Sequence, residues 1–525
     1  MGKPVKSIVI VGGGTAGWLT AGTLAAAHAQ GRGRNLSITL VESPTVKILG
    51  VGEGTWPSMR DTLKTMGIAE VDFIRHCDAS FKQGSCFVGW QSGARESYYH
   101  PFTLPEAWGD MNLARIWPAF RDQVAFAEAV CPQSLVCDSQ LAPKEVSTAE
   151  YDYLLNYGYH LDAGKFAAFL KRHCCERLGV HYISADVAAI ESDDDGYITA
   201  LKTEAAGSIE GDLFIDCSGF AALLLGQHYQ VPFINKSDVL FNDTALAVQV
   251  PYKDDASPIK SYTQSTAQSA GWIWDIGLQS RRGIGHVYSS RFTTEAEAEQ
   301  ALLAYLQATD SPEARTDIRK ISFTPGYREK FWVKNCVAVG VSAGFIEPLE
   351  ASALVMIELA AKMLAEQMPA SFDMMLPLAK RYNDKFSYHW QRVIEFLKLH
   401  YVLSSRTDSV YWQENKNPST IPESLQDLLC LWRFQPPWAY DCPQREELFS
   451  SASFQYVLYG MGFPPDITAG YQKPGNKELQ LAQHYFEKNA KQTRRLLGRL
   501  PGHRELLMHL SKISHHTDTV KQLIN

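Results

Sequence analysis

The sequence predicts an α/β fold in which a Rossmann-type dinucleotide-binding unit stands beside an antiparallel β-sheet wall, under a mostly helical C-terminal layer. Three observations predict it. The run Ile8-Val9-Ile10-Val11-Gly12-Gly13-Gly14-Thr15-Ala16-Gly17-Trp18 reads as a β-branched strand, a tight turn and the mouth of an alanine-rich helix. Two later apolar runs, Leu213-Phe214-Ile215-Asp216-Cys217-Ser218-Gly219, a strand returning to close the nucleotide domain, and Asn335-Cys336-Val337-Ala338-Val339-Gly340, read as buried strands. Residues 240–295 alternate with the two-residue period of strands, whereas the chain from 377 onward has a helical pattern.

In the first element Gly12, Gly14 and Gly17 occupy the G-x-G-x-x-G positions. The first lets the chain turn, the second lets a pyrophosphate approach the backbone, and the third packs helix on strand. Thr15 and Ala16 would place unpaired N–H groups and the positive end of the helix dipole against the phosphates. A glycine turn without a ligand has the same pattern, so the next strand matters. Leu36-Ser37-Ile38-Thr39-Leu40-Val41 ends at Glu42, near the ~20-residue offset at which a ribose-binding acid is expected. Gly50-Val51-Gly52-Glu53-Gly54 then places three glycines within five positions, either for close approach to a flavin or as an awkward loop. These features fit a two-dinucleotide-binding-fold flavoprotein, whose nucleotide domain the Leu213–Gly219 strand would close.

Composition narrows the class further. Hydrophobic content of 45% and charged content of 20% belong to a globular chain, and a net charge of −7 without a Lys/Arg-rich run gives no face for nucleic acid. No apolar stretch approaches the ~20 residues of a membrane span, and the N-terminus runs straight into a strand with no signal peptide, so a cytoplasmic protein is expected. The ten cysteines form no C-x-x-C pair and read as scattered thiols, neither a disulfide framework nor a metal site. His515-His516 read as surface residues.

Along the chain, residues 61–76 read as one helix, and Cys86–Trp90 as a short strand. Composition makes Lys82 a solvated surface lysine. Tyr98-Tyr99-His100-Pro101-Phe102 is an aromatic cluster of the kind found in cores, and 103–150 is irregular with helical stretches. A long helix is expected to open at Tyr159-His160-Leu161-Asp162 and run from about Ala163 to Leu178. Strands at Val180–Ile183 and Asp186–Ile190 follow, and Gly196–Ala205 completes a meander. Trp272 and Trp274, at i and i+2 of Gly271-Trp272-Ile273-Trp274-Asp275-Ile276-Gly277, face one side of a strand, where an aromatic core pair is the plain reading. In Phe345-Ile346-Glu347-Pro348-Leu349-Glu350-Ala351-Ser352-Ala353-Leu354, Pro348 and Glu350 suit the first turn of a helix. Free N–H groups near Ser352 and Ala353 could also hold an anion. Breaks are expected at Asn415–Thr420 and Gln435-Pro436-Pro437-Trp438. The expected division is 1–365 for the cofactor and sheet-wall region, with a substrate-side insertion at about 98–150, and 366–525 for a helical substrate region packed on it.

Taken together, the glycine turn, Gly50–Thr55, Phe81-Lys82, Asp212–Phe220, the Trp-x-Trp-x-Ile element, Phe345–Glu350 and the piece from His400-Tyr401 through Arg406-Thr407-Asp408 to Trp412 resemble the flavin-dependent halogenases of the tryptophan-halogenase type. The resemblance spans nearly the whole chain. It implies FAD, used as FADH2 from a separate NADH-dependent flavin reductase, with O2 and chloride or bromide as co-substrates. The reduced flavin forms a hydroperoxide, halide attacks it, and the hypohalous acid travels to a lysine matching Lys82. There an ammonium hydrogen-bonds it or an amine is halogenated by it. The family's catalytic glutamate matches Glu350. FAD contacts are implied at Gly12, Gly14, Thr15, Ala16, Gly17, Glu42, Gly52, Glu53, Gly54, Val187, Asp216, Val341 and Leu354. Trp272 and Trp274 would keep the substrate from the flavin. His100, Phe102 and, more loosely, Phe449 would wall an electron-rich ring, an indole or indole derivative with tryptophan among them.

The chain also departs from the family. The usual Glu-Ser-Thr-Gly is here Glu350-Ala351-Ser352-Ala353, leaving the backbone halide site at Ser352 and Ala353 with an extra methyl. Pro437 and Trp438 stand where tyrosines grip the amino-acid carboxylate, which implies an indole other than free tryptophan. Gly277 replaces a proline and should loosen one strand end. A hydroxylating flavin monooxygenase, or a flavin- or indole-binding protein with a disabled halide site, remain the alternatives. The assembly stays open, a homodimer being one form it allows.

Overall fold

The computed structural model describes residues 2–29, 36–46, 52–309, 317–444, 446–463 and 474–512. Ile8, Val9 and Ile10 are all buried, as a parallel strand covered by helices on both faces requires. Their strand, Ser7–Val11, pairs in parallel with Ser37–Glu42 on one side and Leu213–Asp216 on the other. His181–Ser184 extends this sheet at one edge, and Cys336–Ala338 with Trp332–Val333 extends it at the other. The Thr15–Ala29 helix packs against the helices Ala163–Arg177 and Ser352–Glu366.

A second sheet has the order Arg319–Ser322, Thr244–Pro251, Arg281–Tyr288, Gly271–Gly277, Thr263–Gln268, Gly84–Val88, Ser97–Pro101. It is the expected wall, antiparallel except where Thr263–Gln268 pairs in parallel with Gly84–Val88, and it reaches beyond 240–295 to recruit the strands around Lys82 and His100. A small third sheet joins Gly52–Gly54 and Ser80–Lys82 to either side of Gly158–Asp162. The 28-residue helix Met375–Val402 and the helix Ser451–Gly460 close over this region, the latter against Ser97–Pro101.

Several expectations change. Residues 61–76 form two helices, Ser58–Thr65 and Glu70–His76, because Gly67 sits at φ +73° and ends the first. Tyr159–Asp162 belongs to a strand, and only Asp162 acts at the helix mouth, accepting from the Lys165 N–H at 2.9 Å. Gly277 does not loosen its strand: it pairs with Arg282, and a Cβ there would come within 2.8 Å of Ile259 Cγ2. All ten cysteines are free thiols, and no His/Cys/Asp/Glu cluster among the described residues could hold a metal ion. No described helix is long and apolar enough to cross a membrane. Gly50, Val51 and His515-His516 lie outside the described residues.

Candidate active site

The three signature glycines have three distinct surroundings. A Cβ on Gly12, at φ +120°, would lie 2.2 Å from the Cys217 carbonyl oxygen, and one on Gly17 would lie 1.9 Å from the Gly12 oxygen. A Cβ on Gly14 would meet nothing within 4 Å. The turn and the helix packing are therefore closed by protein, while the middle position opens on the space where a pyrophosphate would lie. Thr15 and Ala16 follow in the first helical turn, which carries no acid. Glu42 ends the next strand, its Oε2 2.9 Å from Lys171 Nζ. Val187 starts the strand Val187–Ser192, two residues beyond Ala185, whose N–H donates to the Glu42 carbonyl. Val341 lies in the turn Gly340–Ser342, where a Cβ on Gly340 would touch Ala16, and Leu354 is buried in the first turn of the Ser352 helix. The residues fit a dinucleotide. Asp216 is the exception: its carboxylate accepts from Ser218 N–H and O–H and from the N–H groups of Leu224 and Leu225. It caps its own loop and has no free face for a cofactor, a use that spacing could not foresee.

The strand Gly52–Gly54 links this region to Lys82. A Cβ on Gly52 would touch Ile276 Cδ1 of the Trp-x-Trp-x-Ile element at 2.6 Å, and Gly52 and Trp274 line a cavity of about 160 Å³. A Cβ on Gly54 would lie 3.1 Å from Lys82 Nζ and 3.3 Å from Ala351 Cβ. The ammonium and the residue after Glu350 thus converge on one glycine. Between the two, Glu53 is half-buried, its Oε2 shielded and without a hydrogen-bond partner; desolvation, then Asp162, pushes its carboxyl up to about 7.

Lys82 is no surface residue. It is 1% exposed, the last residue of Ser80–Lys82, paired with Gly158. Gly84 then turns the chain at φ +146° into the strand paired with His100, an approach so close that a Cβ would lie 2.4 Å from the His100 oxygen. Burial lowers the Lys82 pKa to about 8, against the opposing pull of Glu350. Glu350 itself precedes the helix, which starts at Ser352 after Ala351 adopts φ 55°, ψ 43°. It is therefore no first-turn acid; the left-handed residue turns its side chain inward, where it is 4% exposed.

Glu350 Oε1 lies 2.9 Å from His100 Nδ1 and 3.2 Å from His400 Nε2. Burial would raise its pKa, but the two imidazoles outweigh it and hold the carboxyl at about 2. Burial lowers the pKa of His400, and Tyr98 O–H donates to its Nδ1 at 2.6 Å, leaving Nε2–H to face the carboxylate. Trp56 Nε1 donates to the Glu350 carbonyl at 2.8 Å. Phe102 stands 5.4 Å from Lys82 Nζ. Phe449 stacks on Phe396 at 3.7 Å and meets Trp56 edge-on, while Phe396 also contacts the His100 and His400 rings. His100 is thus a partner of the carboxylate, packed against the Phe396 ring. Ser352 and Ala353 open a 15-residue helix, whose first N–H groups have no intrahelical acceptor.

Trp56, Tyr98, Phe396 and His400 were not singled out for this site by sequence. Trp56 directly follows the Gly52–Thr55 stretch, and His400 lies in the C-terminal piece that carried the resemblance; neither motif states a role. Trp272 is fully buried, 6.4 Å from the half-buried Trp274.

A glycine turn open at Gly14 and a buried lysine and carboxylate, joined by one short strand, fit the class of flavoenzymes with a Rossmann-type cofactor sheet. Comparison with known proteins is specific. The tryptophan halogenase family profile matches residues 7–473. Tryptophan 6-halogenase ThaL of Streptomyces albogriseolus is 32% identical over 497 residues, covering 89% of this chain and 91% of that one. A crystal structure of a tryptophan halogenase from Shewanella frigidimarina is 49% identical with a TM-score of 0.93, covering 97% of this chain and 98% of that one. BrvH, a flavin-dependent halogenase from Brevundimonas sp. BAL3, is 31% identical with a TM-score of 0.86, over 96% and 99% of the two chains. The chain belongs to the tryptophan halogenase family and is a flavin-dependent halogenase of aromatic substrates.

Proposed function

We propose that this enzyme uses FADH2, O2 and chloride or bromide to halogenate indole or an indole derivative held beside Lys82. The observation that carries the reading is the convergence of the Lys82 ammonium and Ala351 on Gly54, with Glu350 directly before Ala351 and clasped by two histidines. Gly12, Gly14, Thr15, Ala16, Gly17 and Glu42 would hold the nucleotide, and Gly52, Glu53, Gly54, Val187, Val341 and Leu354 would flank the flavin. When bound, the reduced flavin supplies hypohalous acid from O2 and halide. Ser352 and Ala353 would offer their backbone N–H groups to the halide.

The chain's own residues do the rest. At neutral pH Lys82 is mainly an ammonium, and its N–H groups hold the oxygen of hypohalous acid while the halogen points at the ring. As the carbon–halogen bond forms, the O–X bond breaks toward oxygen, which takes a proton from Lys82 and leaves as water. Glu350, ionised at any working pH, removes the ring proton from the cationic intermediate, a strong acid that even a weak base can deprotonate. Return of that proton to Lys82 closes the cycle. His100 and His400 hold the carboxylate charged and oriented. His100, Phe102 and Phe449 wall the ring, and Trp272 and Trp274 separate it from the flavin.

The substrate reading rests on residues 436–441. Pro437 offers only its carbonyl, which the Gln455 amide occupies at 2.6 Å, and Trp438 packs on Trp108 at 4.6 Å. No tyrosine pair is there to receive a carboxylate. The separation of a cofactor and wall region at 1–365 from a helical substrate region at 366–525, supply of FADH2 by an NADH-dependent reductase, and a cytoplasmic setting belong to the same proposal. Purified protein with a flavin reductase, NADH, FAD, bromide and indole tests it: a product bearing the bromine isotope pair supports it. A product heavier by one oxygen would mean a hydroxylase, and no product with either halide would mean a binding protein.

A further inference from the structure

We propose that Glu347 is a positioning residue that locks the Trp272 indole in place and so keeps the two reaction spaces apart. The proposal rests on the halogenase reading above. Glu347 lies three residues before Glu350 and is 1% exposed. Its Oε2 accepts from Trp272 Nε1 at 2.7 Å, Asn242 Nδ2 at 2.6 Å and the Tyr401 hydroxyl at 2.8 Å. These donors come from the central wall strand, the loop before the Thr244–Pro251 strand of the same sheet and the long helix. Asn242 is held in turn, its Oδ1 accepting from the Tyr411 hydroxyl at 3.0 Å.

The arrangement is a poor way to gain stability. A buried carboxylate carries a desolvation cost that an apolar side chain of similar size avoids, and Oε1 of Glu347 has no donor at all. What the carboxylate does gain is direction. An indole whose N–H is tied to a fixed carboxyl oxygen has one orientation, whereas an indole held by packing alone can tilt. Trp272 is the inner tryptophan of the Trp-x-Trp-x-Ile strand, and tilting it opens the wall. Tyr401 adjoins His400, which faces Glu350, so the same oxygen ties the wall to the carboxylate that acts on the ring.

Four variants test this: Glu347→Ala, Glu347→Gln, Trp272→Phe and the Ala/Phe double variant. The readouts are halogenated indole formed per O2 consumed, hypobromite caught by a β-diketone trap, and the NMR shift of the Trp272 indole N–H, identified by its loss in Trp272→Phe. Glu347→Ala and Trp272→Phe should each lower product per O2 about tenfold, the scale of one buried hydrogen bond, with more trapped hypobromite. The double variant should be no worse than either single one. Glu347→Gln should fold, move the Trp272 N–H signal upfield and recover most of the coupling. Unchanged coupling in Glu347→Ala, or losses that multiply in the double variant, would overturn the proposal. If Glu347→Ala does not fold, an unmoved N–H signal in Glu347→Gln overturns it instead. Absence of halogenated product from the unaltered enzyme would sink the halogenase reading, while the N–H shift would still decide the clamp.

Discussion

Burying an ammonium costs stability, and Lys82 shows the cost in its pKa of about 8. An unfolded lysine titrates near 10.5, so between pH 8 and 10.5 the unfolded chain binds more protons and stability rises with pH. Below pH 8 the whole penalty stands, on the order of 3 kcal/mol. Lys82→Met should therefore raise stability at pH 7 by about that amount, read by denaturant unfolding, while abolishing halogenation and leaving FAD binding intact. If the ammonium is the working form, turnover should fall as pH rises through about 8. A rate that climbs through that point would assign the work to the free amine. For Glu350 the fold favours the charged form instead, with the same rise of stability with pH: with a folded pKa of about 2 against 4.5, its stabilisation is complete above pH 4.5 and is lost as pH falls from 4.5 to 2. Denaturation midpoints of Glu350→Gln and the unaltered chain should converge across that window.

At the level of elements, the glycine turn separates folding from binding. Gly17→Ala forces a methyl against the Gly12 carbonyl and should destabilise the chain by about 1–3 kcal/mol. Gly14→Ala enters open space, so thermal unfolding of the cofactor-free protein should barely change while FAD affinity drops about tenfold or more. Equal effects of the two variants on unfolding would show that the opening is not a ligand site. This turn was legible in sequence because its chemistry is local: strand, glycines and helix are contiguous. The strand Gly158–Asp162 was not, since its neighbours Gly52–Gly54 and Ser80–Lys82 are distant in sequence. Nor was the burial of Lys82, which follows from that strand. The helix start was misplaced because Ala351 adopts a left-handed conformation that a non-glycine residue rarely takes.

Across the whole molecule, parts far apart in sequence meet at one carboxylate: His100 from the wall, Glu350 from the loop before a helix, His400 from the long C-terminal helix. Motif spacing gave Glu350 and Lys82 their roles only through family resemblance, and left the histidine clasp unseen because no local pattern encodes it. The same scale governs substrate choice. Without a tyrosine pair to receive a carboxylate, kcat/KM for indole should exceed that for free tryptophan by about tenfold or more, the cost of leaving a charged group poorly bonded. On the proposed mechanism, oxidant is made in one place and used at Lys82 in another. Lys82→Met with reductase, bromide, indole and a β-diketone trap tests it most directly. Oxygen uptake at the unaltered rate, with bromine on the trap and none on indole, is the predicted result; brominated indole formed at the unaltered rate would contradict it.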